Sequence, residues 1–165
     1  MTSTRSARLH LTLIMGLLVV LHFYVRPRVG AARLSPDLVL FALVTFAMRS
    51  GPGAGAVAGF LVGLVNDALS PARFGASTLA HTLVGYAAAW GRAVFFADNI
   101  LVTAGFVAVG LWLRDLILLV ASGAPGGELG TTLALYAPLQ GIITAAAGAV
   151  VLFAARQFFD LRVDA

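Results

Sequence analysis

Residues 51–67 read GPGAGAVAGFLVGLVND. Glycine returns at Gly51, Gly55, Gly59 and Gly63, and the series closes on Asp67. Positions four apart on a helix lie nearly above one another, so these residues form one slowly drifting stripe. The stripe is a groove almost without side chains, while Phe60, Leu61, Val62, Leu64 and Val65 cover the rest of the surface. Small residues at this spacing let a second backbone approach closely in lipid, where hydrophobicity cannot drive helices together. The spacing therefore predicts a membrane helix built for close contact. Asn66 and Asp67 end it, and Asp67 reads either as a packing residue or as the anchor of a polar contact with another helix or a partner chain.

Composition sets the solvent. Hydrophobic residues make up 60% of the 165-residue chain and charged residues 11%, with a mean hydropathy of +0.96. Soluble domains carry about a quarter charged residues. Six apolar segments can be marked, at about 9–25, 36–48, 53–69, 76–90, 100–120 and 131–153. Most approach the roughly 17–25 residues that cross hydrocarbon. The expectation is one transmembrane domain over residues 1–165, an all-α six-helix bundle. The formal charge of +4 rests on arginine alone. Arginines at segment edges read as topology markers rather than as a nucleic-acid patch. The absence of cysteine excludes disulfides, thiol nucleophiles and thiolate metal sites.

The first segment follows a basic start and ends in Arg26-Pro27-Arg28 with no small-residue cleavage site, so it reads as a retained span rather than a signal peptide. His10 and His22, near its two ends, read as interfacial. Ser35-Pro36-Asp37 opens the second segment, with serine as cap, proline at the first helical position and aspartate at the positive end of the dipole. This segment is short for a span. Ser77, His81 and Gly85 line one side of the fourth segment, and Trp90 suits an aromatic belt. The sixth segment repeats the small stripe at Ala137, Gly141, Ala145 and Ala149, which makes it the expected partner of the third. With six spans and the N-terminus inside, Arg5, Arg8, Arg49, Arg92, Arg156 and Arg162 face the cytoplasm. Arg26, Arg28, Arg33 and Arg73 then face out, a bias of six to four.

Arg114 and Asp115 lie inside the fifth segment. Ionisable groups there cost a few kcal/mol each and find partners or water. Sequence neighbours do not face each other on a helix, so either each has its own partner, with Asp37 or Asp67 as candidates for Arg114, or Arg114 snorkels outward past the last turns. A structural pair is favoured over a proton relay, which needs more acids. Gly75-Ala76-Ser77 and Ala80-His81 resemble the serine and histidine motifs of rhomboid proteases. Here they fall one turn apart in a single helix, whereas a nucleophile and its base usually come from two elements. No metal-binding or nucleotide-binding motif appears in the sequence, and no catalytic, cofactor or metal site is expected.

Three stretches carry a family resemblance: Pro36-Asp37-Leu38-Val39-Leu40, then Gly59 to Leu69 with its closing Asn66-Asp67, then the turn Ser70 to Gly75. The series resembles the MreD family of rod shape-determining membrane proteins, most sharply over residues 36–85. Where that family has a glycine-leucine-leucine-aspartate run, this chain has Gly63-Leu64-Val65-Asn66-Asp67. The resemblance implies a non-catalytic inner-membrane member of the cell-elongation machinery. It implies MreC as partner and, through it, MreB, the RodA glycosyltransferase and its transpeptidase. A second copy of the chain is a further candidate partner. The family's arrangement is similar to the substrate-binding subunits of energy-coupling-factor transporters, and a small-molecule-binding subunit is the alternative function, with Ser77, His81 and Tyr136 as candidate liners. Asp37, Gly59, Gly63, Asp67, Arg114 and Asp115 are the expected bundle or partner contacts.

Overall fold

The computed structural model describes residues 16, 18–22, 24, 33–70, 74–91 and 100–159. Most of the first segment, with His10, lies outside them, as do Arg26, Arg28, Arg73, Arg92 and Arg162. The described elements are all helices. Helical residues 18–22 form α1, followed by α2 (Leu38–Ala47), α3 (Pro52–Leu69), α4 (Ala76–Gly91) and α5 (Ile100–Ala121). Then come α6 (Gly126–Thr131), a π-helical turn (Thr132–Tyr136) and α7 (Ala137–Phe159), which run on without a break. Among the described residues three stretches are long and apolar enough to cross a membrane: Pro52–Leu69, Leu101–Ala121 and Gly126–Val151.

The other helices surround α2. Apolar almost all round, it is buried along its whole length except at Phe46. A helix of that kind belongs in a core. It packs on α3, α4, α5 and α7. Its ten residues rise roughly 15 Å, half the thickness of a hydrocarbon layer. The sequence placed its cap at Ser35, but the cap is Asp37, whose Oδ1 accepts from the Leu40 N–H at 2.9 Å. The reason is tertiary. The Ser35 carbonyl and the Asp37 N–H are held by side chains of α7, so the backbone does not close a helical turn there.

The α3 stripe is the buried face of its helix: Gly55, Gly59, Gly63 and Asp67 are inside, while Val57, Phe60, Leu61 and Val65 are exposed. Pro52 occupies the first helical position, where its missing N–H costs nothing. The groove receives α4, not the sixth segment as the sequence suggested. The carbonyl oxygens of Gly85, His81 and Ser77 occupy the space that a Cβ would take at Gly55, Gly59 and Gly63 in turn. The sixth segment's small residues are used elsewhere. Gly141 lies against Ala108 of α5, where a Cβ would stand 3.1 Å from its Cα, and Gly148 lies against the Phe41 ring of α2.

Asp67 completes the α3–α4 pair. It is 1% exposed. Its carboxylate accepts from the backbone N–H of Gly75, Ser77 and Thr78 at 2.9, 3.0 and 2.9 Å, and from the Thr78 hydroxyl at 2.6 Å. The first N–H groups of a helix have no partner within it, and the N-terminal end of the dipole favours negative charge. Asp67 thus caps α4 from the end of the preceding helix. Gly75 (φ +97°) turns the chain through the left-handed region between them.

Two substitutions test this packing by thermal unfolding of the purified protein in detergent. Gly59→Ala places a methyl within 2.6 Å of the His81 carbonyl carbon and is expected to destabilise, whereas Gly53→Ala meets nothing within 4 Å and is expected to be neutral or slightly stabilising. Overpacking of the Gly59 kind costs about 1–3 kcal/mol. Asp67→Asn keeps the shape but turns one acceptor into a donor facing donors; the expected loss is about 1–2 kcal/mol.

Candidate functional site: a buried ion cluster beside a polar cavity

Among the non-helical residues before α2, Ser35 and Asp37 are buried, and buried backbone of this kind is tolerated only where protein or water satisfies it. Ser35 and Asp37 are 2% and 5% exposed. The Gln140 Nε2–H donates to the Ser35 carbonyl at 2.9 Å, and the Asp37 N–H donates to Thr144 Oγ1 at 3.0 Å. Gln140 and Thr144 stand one turn apart on α7, so one helix face serves both ends of the dipping segment. The family resemblance drew no attention to either residue. The available signal was two polar residues at helical spacing in an otherwise small and apolar run.

Arg114 joins this segment to α5. It is 8% exposed. Its Nη1 donates to Asp37 Oδ2. Nε and Nη2 donate to Asp115 Oδ1 at 3.0 and 2.7 Å, and Nη2 also donates to Gln140 Oε1 at 3.2 Å. Of the two partners considered for Arg114, Asp37 is the one it meets; Asp67 is occupied in capping α4. The expectation that Arg114 and Asp115 would have separate partners is overturned. Adjacent Cβ atoms do point apart, but the arginine stem is long enough to fold back over its neighbour. His22 Nδ1 lies 3.7 Å from Asp37 Oδ1, so a residue expected at the interface sits in the cluster instead.

Gly59 and Gly63 lie away from this cluster, in the α3–α4 contact. The two groups meet at a cavity of about 220 Å3. Asp37, Arg114 and Asp115 bound it on one side; Asn66, Ser77 and His81 bound it on the other. The His81 Nδ1 bonds the Ser77 carbonyl oxygen at 2.8 Å. A carbonyl only accepts, so Nδ1 carries the proton and offers no lone pair to the Ser77 hydroxyl. Tyr136 is not among the cavity's lining residues. It lies under the Arg33 guanidinium, 5.2 Å from charge to ring centre, where Arg33 also stands 3.7 Å from Glu128.

The arrangement sets one guanidinium between two carboxylates. Breaking a buried ion pair on one side costs about 3–5 kcal/mol, because the remaining charge is stranded. Arg114→Met is therefore expected to lower the melting temperature sharply. Asp37→Asn added to it is expected to recover part of the loss, since one stranded carboxylate is removed. The melting temperatures of the single and double variants check this.

Comparison with known proteins returned no curated protein and no solved structure that matches. A family model, rod shape-determining protein MreD, matches residues 4–154, essentially the whole chain. This agrees with the resemblance carried by Asp37, by the Gly59–Asp67 run and by the turn to Gly75. The chain belongs to the MreD family of rod shape-determining membrane proteins.

Proposed function

We propose that the chain is a non-catalytic scaffold of the cell-elongation complex that binds MreC. In this reading it crosses the cytoplasmic membrane six times, with both termini inside. The family match over residues 4–154 carries the reading. The interior supports it. The glycine ridge of α3 and the small residues of α7 are taken up within the bundle, and Arg114 bridges Asp37 and Asp115. These residues hold a shape. A partner's transmembrane helix then meets an outward face, such as the exposed apolar side of α3 with Val57, Phe60 and Leu61. Through MreC the protein joins the RodA glycosyltransferase and its transpeptidase, and MreB indirectly, in support of peptidoglycan synthesis.

A second reading is a substrate-binding subunit like those of energy-coupling-factor transporters. The polar cavity favours it. Affinity purification of the tagged protein from native membranes separates the two. MreC is expected among the recovered proteins. A transporter ATPase in its place selects the second reading, and recovery of neither defeats the scaffold.

A further inference from the structure

Neither the packing of the helices nor the scaffold role uses the cavity. Its volume of about 220 Å3 has room for several waters or a small organic molecule. Charge decides which kind. Two carboxylates, Asp37 and Asp115, and one guanidinium, Arg114, face it beside the two histidines, His22 and His81, so its wall holds more carboxylate than guanidinium. Asp67 lies close behind, with its oxygens already accepting from Gly75, Ser77 and Thr78. An anion finds poor reception, because two carboxylates flank the guanidinium and four of its five N–H groups already donate to Asp37, Asp115 or Gln140.

His81 supplies the second observation. It is 3% exposed and lines the cavity. Its Nδ1 proton goes to the Ser77 carbonyl, which leaves a lone pair on Nε2. That atom has no hydrogen-bond partner among the described residues. The atom is open to the cavity, where water or a ligand N–H can reach it. Ser70, Ser77 and Asn66 add further oxygens to the wall. No three of the described histidine, aspartate or glutamate side chains are placed to hold a metal ion.

We propose that the cavity binds a small organic ammonium. Asp37 and Asp115 match its charge, and His81 Nε2 with the neighbouring oxygens receives its N–H groups. The ammonium is that of a free amine or of an ethanolamine lipid headgroup. The site does not depend on which protein the outer faces meet.

The test uses the full-length protein in detergent, with melting temperature as the readout. Butylammonium chloride is compared with sodium chloride at equal ionic strength and with 1-butanol. A saturable rise with butylammonium alone is expected. Asp115→Asn, which removes charge, and Ser70→Leu, which fills space at an exposed position of the cavity wall, are each expected to weaken the apparent affinity by at least about tenfold. If Asp115→Asn fails to fold, Ser70→Leu decides. Native mass spectrometry from nanodiscs containing phosphatidylethanolamine separates the sources. Lipid retained by the wild type and lost from Ser70→Leu assigns the headgroup, whereas an amine effect without retained lipid assigns the free amine. An equal rise with butanol, or an amine effect or lipid retention unchanged in the variants, overturns the proposal. So does the absence of both amine effect and lipid retention.

Discussion

Backbone that leaves the helix inside a membrane has to find its hydrogen bonds within the protein, because hydrocarbon offers none. Burial imposes the same constraint on residues 35–37, which run non-helical into α2 with Ser35 and Asp37 buried. The Ser35 carbonyl, Asp37 N–H and Asp37 carboxylate are answered from two helices, α7 and α5. Gln140 takes the Ser35 carbonyl, Thr144 takes the Asp37 N–H, and Arg114 takes the Asp37 carboxylate. A short central helix is possible because these partners stand where the chain stops being helical. Arg114 is in turn held by Asp115 and Gln140, so the cluster ties α2, α5 and α7 together.

The α3–α4 pair is built on a different principle. It has almost no side chains at its centre. The α3 glycines let α4 carbonyls approach the backbone directly, and Gly85 returns the contact at Gly55. Contacts of this kind rest on dispersion and weak Cα–H···O bonds, which are small singly and add along three turns. Asp67 then bonds the first turn of α4 to the last turn of α3. The bundle thus combines a dry contact along α3 and α4 with a charged one among α2, α5 and α7. The polar cavity lies where the two meet, with Asn66 and His81 from the first and Asp115 and Arg114 from the second. Ion pairs inside a membrane are weak evidence for stability and better evidence for a specified arrangement.

Residence in lipid, helical character and the presence of a close-packing ridge were legible in the residues alone. Each is a local property: hydropathy over a window, or a four-residue period on one helix. The likeness to a rod shape-determining family was also legible, through Asp37, the Gly59–Asp67 run and Gly75. Asp37 as a partner of Arg114 was within reach, since few acids lie near the apolar segments. What the tertiary structure decided was who meets whom. A glycine groove accepts any backbone that fits, so its period does not name α4 over α7. An acid at a helix end can pair with arginine or cap the next helix, and only the turn at Gly75 settles that Asp67 does the second. The burial of α2, the part played by Gln140 and Thr144 and the polar cavity depend on residues far apart in the chain, and no periodicity along one helix records them.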